Sequence, residues 1–397
     1  MMRRKNTMWA TLIFYSTAGI FAIMTFTLLW HLRWVNRLPQ LDTLPAKQGV
    51  AGDTPCKQAL CSVVIAARDE DPRIERTLRH LFAQRDVELE IIVVDDRSSD
   101  QTSEILHRLA KFDPRLRLKR VDVLPDGWLG KCHACHIGAL AATGEWILFT
   151  DADCWIKPDV IVRAIGVAER DHADHVTMAP GTVLESVAAR GWYLLFLTGL
   201  AGWFSGVNRN RPKAHVGIGA FNLVRAAAYR QCGGYEALRL SVVDDIKLGL
   251  LLHRAGHRTR AFLGAGDVEC HWGRTVGDFN RIMEKNYFAA LDYRGGIVLA
   301  ASVSALVVLS VMVIGLGTGT AAGFAAAFSP LGLILPGMVL ARRVGWSFSS
   351  AAMMPLMCPV FLYAMVNSTL VTLRQDGIRW RETFYPLATL RAGNVRS

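Results

Sequence analysis

Two stretches decide how this chain folds: Leu89-Glu90-Ile91-Ile92-Val93-Val94-Asp95-Asp96-Arg97-Ser98-Ser99-Asp100 and Trp146-Ile147-Leu148-Phe149-Thr150-Asp151-Ala152-Asp153. In each, a short β-rich apolar run stops abruptly at acidic residues. Runs that stay apolar on both faces are those of strands buried inside a mostly parallel sheet. Outward from them, Cys61 to Ala67 (CSVVIAA) reads as a first strand, and Pro72 to Gln84 carries Ile74, Leu78, Leu81 and Phe82 at helical spacing. Leu89 to Val94 is the second strand, Gln101 to Lys111 a helix, and Trp146 to Thr150 a further strand. Strand alternating with helix is the signature of an α/β domain, and two strand ends then deliver carboxylates to one crevice at the carboxyl edge of the sheet, where open α/β sheets bind ligands.

The whole chain has 397 residues, a formal net charge of +11, 51% hydrophobic and 20% charged residues. That is too apolar for a disordered chain and too charged for a pure membrane bundle, which points to a soluble domain joined to membrane segments. The basic excess carries no nucleic-acid motif; juxtamembrane Lys and Arg attracted to anionic headgroups account for much of it. The eight cysteines are too few and too irregular for a disulfide framework, which fits a reducing cytoplasmic face.

Met8 to Trp30 is uncharged over 23 residues, enough to cross the roughly 30 Å hydrocarbon core as a helix. Its length and the lack of a small-residue cleavage site favour a retained span over a cleaved signal peptide. Three more apolar runs follow, near Ile297 to Leu316, Thr320 to Leu340 and Ala351 to Leu373. The last two contain Ser329-Pro330 and Pro336, and Pro355 and Pro359, so either can be re-entrant or interfacial. The expected organisation is an N-terminal span and flanks (1–37), a linker (38–60), a catalytic domain (61–296), a C-terminal membrane region (297–373) and a basic tail (374–397), an integral protein of a bacterial-type inner membrane with its catalytic domain cytoplasmic. Gly191 to Gly206, uncharged and aromatic-rich, reads either as an interfacial segment or as a buried helix.

Asp151-Ala152-Asp153 places two carboxylates on one side of an extended segment, which suits a hard divalent cation that also holds phosphates. Alone, such a pair is usually a capped turn; its position after an apolar strand shifts the reading. Lys131 opens a helical stretch to Ala142, where its ammonium can neutralise a diphosphate. Asp244-Asp245 precede a helix from Ile246 to Arg254; one of them can take a proton from an attacking hydroxyl, or both can simply favour the helix dipole.

The ordered series Ser62-Val63-Val64-Ile65 with Arg68-Asp69-Glu70, then Val93 to Ser98, Gly130-Lys131, Asp151-Ala152-Asp153 and Asp244-Asp245 resembles the family 2 glycosyltransferases over roughly residues 60 to 265. The resemblance implies a GT-A fold, a Rossmann-like mixed sheet, and inversion at the anomeric carbon with a nucleotide-diphosphate sugar donor and a divalent metal (Mg or Mn). It further implies that Asp95 or Asp96 with the Asp69/Glu70 turn hold base and ribose, that Lys131 lies near the diphosphate, that Asp151 contacts ribose or metal and Asp153 the metal. Asp245, paired with Asp244, matches the family's general base. Two departures stand out: Ala66-Ala67-Arg68-Asp69-Glu70 replaces the usual Pro-Ala-Arg-Asn-Glu, and the Gln-x-x-Arg-Trp signature of processive synthases is absent after Asp245, which favours a single transfer. Leu124 to Lys131 and Arg379 to Pro386 are similar to membrane members associated with hopanoid and carotenoid pathways, which implies a lipid or isoprenoid acceptor. The alternatives are a polysaccharide or polyprenyl-phosphate sugar synthase and a catalytically silent membrane assembly subunit.

Other motifs weigh less. Cys132-His133-Ala134-Cys135-His136 contains the c-type haem pattern, yet a helical stretch cannot converge four ligands from five residues. His271 is a candidate late metal ligand. Asn367-Ser368-Thr369 spells a glycosylation sequon inside an apolar run.

Overall fold

The computed structural model describes residues 2–40 and 59–396, with side chains from residue 7. Most of the expected linker 38–60 lies outside the described residues. The chain divides into two compact units, each assembled from three segments: Met1–Trp34, Leu184–Gly202 and Arg274–Phe384 in one, and Val35–Val183, Trp203–Gly273 and Tyr385–Ser397 in the other.

The second unit is built on an eight-stranded mixed sheet. Its strands are β1 (Leu60–Ala67), β2 (Glu88–Asp96), β3 (Leu116–Val121), β4 (Trp146–Asp151), β5 (Cys154–Ile156), β6 (His175–Gly181), β7 (Asn222–Arg225) and β8 (Thr259–Cys270), in the order β3-β2-β1-β4-β7-β6-β8-β5. β1 to β4 are parallel, while β7 runs antiparallel to both β4 and β6. The order reverses at β1: the chain winds outward through β2 and β3, then returns to β4 on the other side. That reversal opens a crevice beyond the carboxyl ends of β1 and β4.

Helices cover the sheet because its strands are apolar on both faces. Val63, Ile65, Ile91 and Val93 face the helices Arg73–Phe82, Thr102–Phe112 and Val160–Arg170, whereas Ile92 and Val94 pack on Ala134 of helix Gly130–Ala141. The Arg73–Phe82 helix buries Ile74, Leu78 and Leu81, the spacing read from the sequence.

The first unit is mostly helical, and among the described residues four helices are long and apolar enough to cross a membrane: Thr7–Leu32, Gly295–Thr318, Ala321–Val344 and Met354–Arg374. The prolines act as expected from their missing N–H and fixed φ. Helix Ala321–Phe328 gives way at Ser329–Leu333 to a 3₁₀ turn before Ile334–Val344, and Pro355 opens Met354–Arg374 while Pro359 sits inside it. Residues 191–206 belong to one helix, Val187–Asn208, on which Trp192 and Tyr193 are buried and Trp203 is exposed.

Candidate active site

Strand register brings the acids to one edge. Ala67 of β1 lies opposite Asp95 of β2, and Ala66 lies opposite Asp151 of β4. Beyond that edge two turns hold each other. The Asp69 backbone N–H donates to Ser98 Oγ (3.1 Å), Glu70 N–H donates to Thr102 Oγ1 (2.8 Å), and Ser99 N–H donates to Asp69 Oδ1 (2.8 Å). Asp69 and Arg97 both adopt left-handed backbone, φ 52° and 58°, a conformation Asp tolerates better than most side chains.

Asp95 and Asp96 are buried and engaged. Asp95 accepts from Ser98 N–H (3.1 Å) and from Arg120 (2.7 Å); Asp96 accepts two bonds from Arg97, at 2.7 and 3.0 Å. A nucleoside that contacts either carboxylate shares it with a guanidinium.

The chemistry converges on Lys131, in the first turn of helix Gly130–Ala141. Its ammonium donates to Asp151 Oδ1 at 2.6 Å and lies 3.9 Å from Asp244 Oδ1. Burial works against this charge, but the carboxylates of Asp151 and Asp244 outweigh it and hold the amine well above its ordinary range. Asp244 also accepts from the buried Tyr235 hydroxyl at 2.9 Å. Asp245 lies in the first turn of helix Asp244–Arg254 and accepts backbone N–H bonds from Gly219 on one oxygen and Ile246 on the other, both 2.8 Å. Burial, and then the charge of Asp244, raise the Asp245 carboxyl to about 6, against the opposing pull of Lys131. A carboxylate poised there is suited to accept a proton near neutral pH.

Gly219 stitches these groups together. A Cβ on it would lie 2.9 Å from Asp151 Oδ2 and 3.4 Å from Lys131 Nζ, while its N–H holds Asp245. A side chain at this position would press on the ion pair.

Asp153 follows β4, and its Oδ1 accepts from Cys270 Sγ at 3.5 Å. Burial, followed by the charge of Asp151, raises its carboxyl. The donor set therefore suits a divalent cation: the buried Asp153 carboxyl, raised in part by the charge of Asp151, is relieved by a cation held beside it. Asp153, Cys154 and Cys270 also offer ligand atoms within 4.8 Å of one another. His271 follows Cys270; its backbone N–H donates to Asp153 O (3.1 Å) and its ring stacks with Trp155. Cys132 and Cys135, from the haem-like motif, are buried on one helix, where burial raises both thiols.

Sequence reading missed Gly219, Tyr235, Arg97 and Arg120. The two glycines of Gly217-Ile218-Gly219 are a local signal of close backbone approach; nothing local marks Tyr235, which reaches Asp244 only through the fold.

A mixed α/β sheet with carboxylates at its switch point, a lysine on a helix start and a second acid pair on a later helix is the architecture of a GT-A glycosyltransferase domain. Residues 62–233 match the Glycosyl transferase family 2 model, and the chain carries a domain of that family. It is 25% identical over 213 residues to a 4,4'-diaponeurosporenoate glycosyltransferase of Staphylococcus haemolyticus, covering 52% of this chain and 55% of that protein. It is 28% identical over 252 residues to a beta-monoglucosyldiacylglycerol synthase of Trichormus variabilis, covering 58% of this chain and 50% of the other. The chain spans about half the length of the curated relatives it matches. A mannosyltransferase from Pyrobaculum calidifontis, solved in complex with GDP-Man and Mn2+, shares the fold: TM-score 0.54 and 17% identity, over 92% of this chain and 99% of that one.

Proposed function

We propose that this chain is an inverting glycosyltransferase that moves a single sugar from a nucleotide-diphosphate donor to the hydroxyl of a lipid-like acceptor, at the cytoplasmic face of the membrane. The observation that carries the reading is the meeting of Lys131, Asp151 and Asp245 around Gly219. A partly buried lysine flanked by acids and a raised carboxyl facing the same loop answer the two needs of glycosyl transfer, a counter-charge for the leaving group and a base for the nucleophile.

In this reading Asp245 accepts the acceptor's hydroxyl proton as its oxygen attacks the anomeric carbon. The bond from that carbon to the diphosphate oxygen breaks on the opposite face, its electron pair leaving with the nucleotide, so the configuration inverts. Lys131 neutralises the departing diphosphate. Asp244, held by Tyr235, favours the charge on Lys131 and raises the Asp245 carboxyl toward neutral pH. Asp153, with Asp151, would hold a divalent cation, which supplies Lewis-acid neutralisation of the diphosphate when bound. The turns at Asp69-Glu70 and Asp95-Asp96 would seat base and ribose.

The lipid-related names of the two relatives and the apolar helices support a membrane acceptor. Basic residues beyond the last apolar helix, Arg374, Arg379 and Arg381, support a cytoplasmic end on the catalytic domain's side, which requires that one of the three C-terminal apolar helices does not cross fully, as the proline-bearing ones allow. The test is a screen of nucleotide sugars with Mg or Mn, using purified protein in detergent and a total lipid extract, read by mass spectrometry. A lipid one sugar heavier is expected; longer products, or none with any donor, would overturn the single-transfer reading.

A further inference from the structure

The Asn367-Ser368-Thr369 triplet, inside the span Met354–Arg374, turns inward onto helix Val276–Ala290. Ser368 Oγ accepts from the Phe288 N–H (3.0 Å), and Asn367 Nδ2 donates to Glu284 Oε2 (2.9 Å). Asn280, Glu284 and Tyr287 stand at i, i+4 and i+7 on that helix and so share one face. Two atoms of this face, Asn280 Oδ1 and the Tyr287 hydroxyl, are buried with no protein partner. The Tyr287 ring packs on Phe361 (5.1 Å).

Polar side chains packed on a membrane span are costly and usually serve a ligand. A buried hydroxyl without a partner lowers stability, and phenylalanine would fill the same space at no such cost. We propose that Asn280, Glu284, Tyr287 and Asn367 bind the hydroxyl head of a neutral membrane lipid. A hydroxyl carries one donor and two acceptor positions, so its chemistry suits both kinds of unmet group on this face, the Asn280 acceptor and the Tyr287 donor. A phosphate head only accepts and faces Glu284; an ammonium head only donates and leaves the phenol proton unmet. These residues are not those proposed for catalysis, and the lipid site stands independently of the transferase reading.

The experiment uses the full chain in detergent with a diazirine-bearing dioleoylglycerol, mapping labelled peptides by mass spectrometry. Labelling is expected within residues 276–290 and 354–374, displaced by dioleoylglycerol about tenfold better than by its methyl ether, the size of one lost hydrogen bond. Tyr287→Phe is expected to weaken labelling several-fold without lowering Tm. Equal displacement by the ether, or undiminished labelling of Tyr287→Phe, would overturn the site and leave the pair to a buried water. Absence of sugar transfer alongside the expected labelling would count against the catalytic reading and leave the lipid site standing.

Discussion

Lys131 Nζ sits 2.6 Å from Asp151 Oδ1, joining the start of a helix to the end of a strand. The pair is charge-assisted and only partly exposed, so it fixes a cation at the switch point where a diphosphate would lie. Lys131→Ala should lower kcat about 10²-fold, the usual loss when one preorganised charge on a developing anion is removed. Steady-state kinetics against donor concentration check this, and an unchanged kcat would remove Lys131 from the leaving-group role.

Gly219→Ala is expected to act by displacement, because its Cβ would press on Asp151 and Lys131 while its N–H holds Asp245. Misplacing catalytic groups by about 1 Å costs on the order of 10²-fold in rate, so kcat/KM should fall by that order with Tm nearly unchanged. Activity and thermal melts measured together separate this from unfolding.

If Asp245 is the base, its raised carboxyl is expected to set the acid limb of the rate profile. A base must be ionised, so as pH falls through about 6 the carboxyl takes up a proton and the rate drops, about tenfold per unit well below that point. Asp244→Asn removes the like charge beside Asp245, and the acid limb should move to lower pH. A pH–rate series on both proteins is the check.

Far from the site, Glu90 is buried where it accepts from Ser62 Oγ (2.5 Å), Thr143 N–H (2.5 Å) and Thr143 Oγ1 (2.8 Å), and pairs with Arg117. Burial opposes its charge, but these bonds overcome it and hold the carboxyl below its ordinary value. Its contribution is therefore present above the unfolded pKa and fades as pH falls through the lower folded one. Glu90→Ala should destabilise the domain by about 2 kcal/mol, since it strands buried donors. Thermal melts at neutral and acid pH should show the difference shrinking in acid.

What was legible in the sequence follows from burial. β1, β2 and β4 are apolar on both faces, so their runs announced themselves, and each acid that ends them lies where a strand end puts it. β8 was not legible: Gly264, Gly266 and Asp267 interrupt its pattern, and a bulge shifts its pairing with β6 near Pro180 and Gly181. Helix Asp244–Arg254 starts two residues before the expected Ile246, because the acids themselves occupy the favourable first turn. Lys131, Asp151 and Asp245 could be named from motifs. The Gly219 N–H that holds Asp245 could not, since a backbone donor has no letter of its own.

The most direct test of the account is Asp245→Asn, which keeps shape and removes the basic oxygen charge. Sugar transfer should fall at least about 10³-fold, within the range for loss of a general base, while donor affinity by calorimetric titration stays within about twofold. Transfer retained within about tenfold of wild type would contradict the assignment of Asp245 as the base, and with it the proposed mechanism.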